Sequence, residues 1–381
     1  MRSNSPGSYG PITALIAIMA FFYSVFMLTL VPPLAKSVQE ERKEEGKYPV
    51  HALYANADYV NVAVVNTFFL LTLVSFLRAS FTHPGLVPHV HPFDPDCPAG
   101  ALGEGAKIEQ ALEERGLLNY RGIERKSDGR PRFCRICGKY KPDRTHHSTP
   151  AGACILELDH MCPWIRQAIG YFNKKYFFLL IFYGSCSLVG FAVALGPHFV
   201  HACKRMDTVL DFFVIFAWML SLLLGTALCV FTCFHIYLMT HAYTTVEFCE
   251  KRRAPEVKTS QEVSIRDLYK QSPYDLGVLH NIKHVMGPVW TWLLPTRYGL
   301  PSDISAGVVF DVNEDHPLYQ AAQIGDFSEK AYGDSFADEG IPHGEISTSA
   351  ASAIADTSLW GPEPGDYFEE VLRPNGDPRH Y

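Results

Sequence analysis

Charged side chains are missing from four long stretches of this 381-residue chain, at 12–35, 60–77, 176–195 and 212–238. A helix of about 20 mostly apolar residues is long enough to cross the hydrocarbon core of a bilayer. Buried helices of a large soluble protein are the alternative, but the length of the stretches and their lack of charge disfavour it. The sequence therefore predicts an α-helical polytopic membrane protein with four transmembrane helices.

Three further absences argue against other interpretations of the chain. No stripe of basic residues alternates with aromatic residues, which argues against binding to nucleic acid. The four stretches contain no row of charges and no pair of interrupted helices, which disfavours a channel or transporter. The first stretch lacks a strongly basic start and a small-residue cleavage site, so we expect a retained span and not a signal peptide.

Acidic residues are concentrated after Asp303, so the rest of the chain is net basic although the whole carries −7. A basic body suits an anionic leaflet or a phosphate-bearing ligand. We expect the acidic tail, residues 300–381, to be mostly disordered, with apolar patches at 308–310 and 367–372 as candidate motifs for tail-binding partners.

Basic residues also predict the orientation of the spans. Arg78, Lys174 and Lys175 flank the long loop between the second and third stretches, and residues 251–253 follow the fourth. Because basic residues favour the cytosolic side, and because four spans return the chain to its starting side, this loop and both termini are predicted to be cytosolic.

Four of the ten cysteines cluster at 134–162 of this polar loop, where a reducing compartment favours metal binding or catalysis over disulfides. Cys134 and Cys137 have the spacing of a zinc knuckle, and His147 and Cys154 complete a Cys₃His set. Two alternatives remain open: His146 could be the ligand in place of His147, or the Cys-x-x-Cys spacing could have arisen by chance. A closed set of four protein ligands is structural, and its binding energy, on the order of 10 kcal/mol, could fold a loop without a core.

A candidate nucleophile follows within a few residues. Asp159, His160 and Cys162 offer an orienting carboxylate, a base and a thiol. Alone this pattern is weak, since a surface loop produces it by chance. Beside the metal set, and about a dozen residues before the third stretch, it predicts a cysteine that attacks substrates at the membrane surface.

The loop resembles the DHHC family of protein S-acyltransferases (palmitoyltransferases), which is named for an Asp-His-His-Cys motif. The likeness covers roughly residues 10–295. Further elements similar to those of the family are Lys141-Pro142-Asp143-Arg144-Thr145-His146-His147, Cys162-Pro163-Trp164, Pro84-Gly85, Thr244-Thr245-Val246-Glu247, and residues 274–287 with Asn281. His83 stands where the family usually has Asp.

The resemblance also exposes a departure. The family binds two structural zinc ions, each through three Cys and one His. The first set falls on the four ligand candidates named above, and all are present. The second set falls on Ser148, Ala151, Met161 and Ala168, none of which can replace the missing ligands. We therefore expect one structural zinc, with Met161 and the two alanines packed as an apolar substitute, and a retained triad.

The resemblance implies a ping-pong reaction. Cys162, deprotonated by His160, takes a fatty acyl (palmitoyl) group from acyl-CoA and passes it to cysteine thiols of membrane-associated proteins. Lys141 and Arg144 are candidates for binding the CoA phosphates, with hydrogen bonding inside the zinc loop as the alternative. Trp164 and residues 176–178 are predicted as interface anchors in preference to an acyl entrance. Thr244, Thr245, Glu247 and Asn281 are expected to be structural, with the Thr-Thr-x-Glu element coupling the fourth span to the cysteine-rich loop.

The implied protein is a multi-pass membrane protein of eukaryotic endomembranes or the plasma membrane. A catalytically silent DHHC-like scaffold or adaptor is the alternative: the lost second zinc set favours it, and the intact triad opposes it. The predicted organisation is 1–80, helices 1 and 2; 81–132, cytosolic linker; 133–174, DHHC-type cysteine-rich zinc domain; 175–240, helices 3 and 4; 241–299, cytosolic packing segment; 300–381, acidic tail.

Overall fold

The computed structural model contains four long helices, which are α1 (Gly10–Glu41), α2 (Pro49–Phe81), α3 (Lys174–Arg205) and α4 (Val209–Thr240). Each is long and apolar enough to cross a membrane, which confirms the predicted fold class. The structure describes residues 9–41, 49–89, 93–95, 106–107, 110, 113, 123–124, 131–253, 271–296, 307–317 and 319. The second apolar patch of the tail, 367–372, lies outside these residues.

Helix α3 is the centre of the bundle and packs against α2 on one side and α4 on the other. Lipid tails are as apolar as leucine, so close packing and small residues, and not hydrophobicity, hold such helices together. A Cβ on Gly190 would lie 3.0 Å from Val65 of α2, and one on Gly184 would lie 3.0 Å from Leu228 of α4. The glycines of α3 therefore allow both neighbours to approach closely.

Hydroxyl pairs reinforce these two contacts inside the bundle. Thr72 of α2 lies 3.1 Å from Ser187 of α3, and Ser185 of α3 lies 3.0 Å from Thr232 of α4, measured between hydroxyl oxygens. Bonds of this kind contribute about 0.6 kcal/mol each on average between transmembrane helices. They fix the facing positions of the helices more than they add stability.

The cysteine-rich loop between α2 and α3 is built from three short antiparallel hairpins. Their strand pairs are β1 (Phe133–Cys134) with β2 (Lys139–Tyr140), β3 (His146–Ser148) with β4 (Ala153–Ile155), and β5 (His160–Cys162) with β6 (Gln167–Ile169). Strands of two or three residues are too short to form an independent sheet. The hairpins need another source of cohesion, which agrees with the predicted metal staple.

In the described part of the chain after α4, two α-helices, a short 3-10 helix (Val289–Thr291) and a strap follow. Helix α5 (Thr245–Arg253) follows directly, and α6 (Val278–Met286) packs against α4. Residues 307–317, here called the C-terminal strap, run back over the cysteine-rich loop. Val308 of the strap is fully buried in one cluster with Cys134 and Leu156.

The strap corrects one prediction from the sequence. Residues 308–310 were expected to be a partner motif in a mostly disordered tail, and that expectation is wrong for these residues. The ring of Phe310 lies 5.7 Å from that of Tyr274 and 5.8 Å from that of His284. Because the cysteine-rich loop has little apolar core of its own, the Val-Val-Phe patch supplies part of it from within the same chain.

Candidate active site

The structure brings the four predicted metal ligands together. The ligand atoms of Cys134, Cys137, His147 and Cys154 all lie within 4.8 Å of one another. Nδ1 of His147 is 3.6, 3.3 and 3.9 Å from the three sulfur atoms, in chain order. A tetrahedral zinc with ordinary bond lengths separates N and S ligands by about 3.6 Å. The set therefore fits a tetrahedral metal ion.

Local backbone geometry explains why these four residues meet. The β3–β4 hairpin pairs His147 directly with Cys154, which places both side chains on one face. In the preceding turn the amide of Cys137 donates to the sulfur of Cys134 at 3.4 Å. Gly138, with a φ of 66°, then turns the chain back into β2, a conformation that favours glycine.

Three of the four positions of the lost second set are occupied by apolar packing. Ala151, Ala168 and Met161 belong to one apolar cluster together with Leu158 and Val246 of α5. Ala168 is fully buried, and Met161 pairs with it across the β5–β6 hairpin. This arrangement agrees with the expected apolar substitute, while the number of metal ions bound stays a prediction.

Strand β5 explains the Asp-His-x-Cys pattern. Side chains alternate along a strand, so His160 and Cys162 share one face and Met161 points to the other. Nδ1 of His160 lies 2.8 Å from Oδ2 of Asp159, and the imidazole also bonds to Cys162. The structure therefore brings the three predicted catalytic residues together in the order carboxylate, imidazole, thiol.

Two hydrogen bonds from α5 hold Asp159 in addition to the bond from His160. It is 1% exposed, and it accepts hydrogen bonds from the amide of Thr245 at 3.0 Å and from the hydroxyl of Thr245 at 2.8 Å. Burial raises the pKa of Asp159, but the bond from His160 and the charge of Lys174, 3.9 Å away, outweigh it and hold the pKa well below its usual range. The carboxylate is therefore ionised at neutral pH.

The charge of Asp159 acts in turn on the base. Burial lowers the pKa of His160, but the hydrogen bonds to Asp159 and Cys162 outweigh it and raise the pKa to about 9. His160 is therefore protonated at neutral pH, and its positive charge lies next to the thiol. Such a neighbour stabilises negative charge on sulfur and makes the cysteine a better nucleophile.

Arg144 does not have the exposed position that CoA binding would require. It is 2% exposed and makes a two-pronged ion pair with Glu247, at 2.7 and 2.9 Å. A third nitrogen lies 3.4 Å from Glu157. The structure therefore favours a structural role, which includes the expected contact inside the loop, to Glu157, and also bonds to Glu247 of α5. Lys141 is only partly buried, and its proposed phosphate contact stays a prediction.

Glu157 was not identified from the sequence, and it is the centre of a buried ion-pair network. The carboxylate lies 2.9 Å from Lys174 of α3 and 3.0 Å from His284 of α6, in addition to its contact with Arg144. Burial raises the pKa of Glu157, but the interactions with Lys174, Arg144 and His284 outweigh it and hold the pKa well below the usual range. One carboxylate thus joins the loop to two helices.

Cys162 lies against the ends of the helices nearest the cysteine-rich loop. The thiol is buried in an apolar cluster that includes residues of α1, α2, α3 and α4, namely Ile12, Leu15, Leu73, Phe76, Tyr176, Phe177, Ile181 and Leu228. Farther along α2 and α3, an open groove of about 310 Å³ is lined by residues such as Val65 and Val189. The nucleophile therefore faces apolar side chains of all four long helices.

The aromatic residues near the thiol divide into two groups. Trp164 is half exposed, as an interface anchor would be. Tyr176 and Phe177 are 1% and 4% exposed, so the preference for anchors is wrong for these two. They instead pack in the cluster around Cys162.

The contacts of α5 and α6 agree with the expected structural roles. Thr245 and Glu247 connect α5 to Asp159 and Arg144, as described above. The amide of Asn281 donates to the carbonyl of Thr240 at 2.8 Å and to Asp275 at 2.7 Å, which closes α6 onto the end of α4. One further residue near the triad, His235 of α4, was missed. Its signal was an ionisable side chain inside an apolar span, which is rare without a function.

Comparison with known proteins agrees with this site. A sequence model of DHHC palmitoyltransferase matches residues 127–252. The chain is 31% identical over 273 residues to the probable protein S-acyltransferase 15 of Arabidopsis thaliana, covering 69% of this chain and 92% of the relative. It is 26% identical over 316 residues to the probable protein S-acyltransferase 16 of the same plant, covering 82% and 96%.

The palmitoyltransferase PFA3 of Candida albicans is 33% identical over 205 residues, which cover 48% of this chain and 54% of that protein. The chain thus spans about half the length of this fungal relative and nearly all of the two plant proteins. This chain belongs to the DHHC palmitoyltransferase family.

Proposed function

We propose that this protein is a protein S-acyltransferase. It moves a fatty acyl (palmitoyl) group from acyl-CoA to cysteine thiols of membrane-associated proteins, through an acyl-enzyme on Cys162. The observation that carries the proposal is the shared face of β5, where the imidazole of His160 bonds both to Cys162 and to the buried carboxylate of Asp159. The names of the relatives support the same activity.

In the first half-reaction Cys162 attacks the thioester carbonyl of acyl-CoA. Protonated His160 stabilises the sulfur anion before attack, and Asp159 holds the imidazole in position. A new carbon–sulfur bond to Cys162 forms while the bond to the CoA sulfur breaks. The leaving thiolate takes the proton of His160, so that CoA departs as a thiol and the imidazole becomes neutral.

In the second half-reaction the neutral His160 accepts the proton of an incoming substrate thiol. The thiolate attacks the acyl group on Cys162, and the free cysteine is restored together with the protonated imidazole. One thioester replaces another in each step, so the overall free-energy change is small. The protein therefore has to supply mainly position and an activated thiol.

The surroundings of the triad fit this chemistry. An acyl chain attached to Cys162 would lie against the apolar side chains that surround the thiol, while the CoA head group stays in the cytosol near Lys141. One zinc ion, held by Cys134, Cys137, His147 and Cys154, would brace the loop and take no part in the reaction, because the set leaves no open coordination position. The domain limits given above are proposed on the same basis.

Topology and location follow from the same proposal. With both termini and the cysteine-rich loop in the cytosol, Cys162 faces the compartment that contains acyl-CoA and protein substrates. Eukaryotic endomembranes or the plasma membrane are the proposed location. The acidic tail beyond the strap is proposed to bind partners, since its charge sets it apart from the basic body.

A silent scaffold remains the second candidate because the second metal set is lost. An apolar cluster includes three of those four positions, however, and it contacts the face of β5 opposite His160 and Cys162. The loss therefore leaves the triad unaltered. A scaffold would also have no need for Asp159 to be held by Thr245 and Lys174.

The test is hydroxylamine-sensitive incorporation of a labelled acyl chain from acyl-CoA into purified protein. Wild type should be labelled and Cys162→Ser should not. Cys249→Ser is the matched control, because Cys249 is an exposed cysteine on α5 outside the site. Absence of label on folded, zinc-loaded wild type would reject the enzyme and favour the scaffold.

A further inference from the structure

His235 is an imidazole next to the triad that the mechanism above does not use. It lies in the last turns of α4 and is only 7% exposed. Among the residues that the structure describes, its ring nitrogens have no hydrogen-bond partner. Ionisable side chains inside membrane spans are rare and costly, and they usually mark a function.

The rings around His235 place it at the reaction centre. Its centroid lies 6.2 Å from that of His160, and both histidines contact the edge or face of Phe177, at 5.2 and 4.9 Å. Phe177 belongs to the same apolar cluster as Cys162. His235 is thus on the helix side of the site, opposite the strand that carries the triad.

The separation of the two histidines is informative. At 6.2 Å between centroids they are too far apart to share a direct hydrogen bond. The distance suits two groups that approach one reacting centre from different sides, each within about 3 Å of an atom between them. His160 is already committed to Asp159 and Cys162, whereas His235 is not.

The proposed reaction has a need that the triad does not meet. When Cys162 attacks the thioester, the electron pair of the carbonyl double bond moves to oxygen and creates a negative charge. That charge collapses again when the bond to the leaving sulfur breaks. A donor that is fixed in advance near this oxygen is often the largest single contribution to catalysis of acyl transfer.

We propose that a ring N–H of His235 donates a hydrogen bond to the oxyanion formed on the acyl carbon in both half-reactions. This inference rests on the proposed acyltransferase function. It assigns His235 a catalytic role, with Phe177, Phe231 and Phe234 holding the ring in place.

The alternative is a purely structural role, in which His235 only packs against the neighbouring aromatic rings. Two substitutions separate the roles. His235→Phe keeps a ring among the three phenylalanines but removes the N–H, and His235→Gln keeps an amide N–H donor but removes the ring. A catalytic donor predicts that Gln is the better replacement, and a packing role predicts that Phe is.

The experiment measures the rate of acyl-enzyme formation in single turnover with saturating palmitoyl-CoA, using detergent-purified full-length protein. His235→Phe should react about 10²- to 10³-fold more slowly than wild type, as expected for one lost oxyanion donor. His235→Gln should form the acyl-enzyme at least tenfold faster than His235→Phe. His241→Phe, the same change at an exposed histidine after α4, should react like wild type.

Equilibrium binding of a non-hydrolysable thioether analogue of palmitoyl-CoA supplies the second measurement. An oxyanion donor acts in the transition state, so His235→Phe should bind the analogue with unchanged affinity. A rate for His235→Phe within threefold of wild type, or a slower rate for His235→Gln than for His235→Phe, would overturn the proposal. Wild type that forms no acyl-enzyme at all would instead reject the proposed function.

Discussion

Removing the hydroxyl of Thr245 should weaken the site without disabling it. In the variant Thr245→Val, Asp159 loses the 2.8 Å bond from Oγ1 but keeps the amide of residue 245 at 3.0 Å. It also keeps the bond to His160 and the charge of Lys174. The shape of the side chain is nearly unchanged, so the effect reports the hydrogen bond itself.

The size of the effect follows from the burial of the carboxylate. A hydrogen bond to a charged group contributes about 1.5–3 kcal/mol, which corresponds to a rise of about one to two in the pKa of Asp159. Because that pKa starts well below its usual range, Asp159 stays ionised at neutral pH. We therefore expect a loss of about 2 kcal/mol in stability and a tenfold or smaller loss in rate.

The assay compares four proteins in acyl-enzyme formation and thermal unfolding. Asp159→Asn should lose on the order of 10³–10⁴ in rate, because an amide no longer holds the imidazole in the required tautomer. Thr245→Ser keeps the hydroxyl and should behave like wild type. If Thr245→Val is as slow as Asp159→Asn, or if Thr245→Ser is as slow as Thr245→Val, the assigned role of this hydrogen bond is wrong.

Three further predictions concern stability and metal content. The pKa of His160 is about 9 in the folded protein against 6.5 for a free imidazole, so protonated His160 should add on the order of 3 kcal/mol to the free energy of unfolding. This contribution is fully present below pH 6.5 and is lost as the pH rises through 9, so Tm should fall over that range. His160→Gln should flatten the fall in Tm, and an unchanged pH profile in this variant would contradict the prediction. Metal analysis should find one zinc per chain, lost in Cys134→Ser together with a lower Tm, whereas two ions per chain would refute the lost second site. Val308→Asp should destabilise the protein by about several kcal/mol, because it buries an unpaired carboxylate. The control Glu314→Ala, on the exposed side of the strap, should leave Tm unchanged. Equal effects of the two variants on Tm would show that the strap does not pack as described.

The parts of the fold that local pattern determines could be predicted from the sequence. Four stretches without charge predicted α1 to α4, because a bilayer imposes length and composition directly on a helix. The metal set was predictable for a similar reason, since Cys134 and Cys137 lie in one turn and His147 pairs with Cys154 in one hairpin. In both cases the residues that matter are close in sequence.

Long-range pairing could not be predicted in this way. Arg144 looked like a phosphate ligand because its partner Glu247 lies 103 residues away, and only the folded chain brings the two together. The strap is a similar case, since an acidic, Gly-rich context concealed that Val308 fills the core of a distant loop. His235 was overlooked because membrane crossing already accounted for the apolar span that contains it.

The alternation of side chains along β5 explains how this protein could lose one metal set and keep its chemistry. His160 and Cys162 point to the helices, while Met161 points to the opposite face, against Ala168 and Val246. An exchange of metal for apolar packing therefore alters only the back of the strand, and its effect on the thiol is limited to how firmly the strand is held. Two other anchors hold it: Asp159 is tied to α5 through Thr245, and Glu157 is tied to α3 and α6 through Lys174 and His284. The ion-pair network around Glu157 therefore fixes the chain just before β5 to two helices without a second metal set.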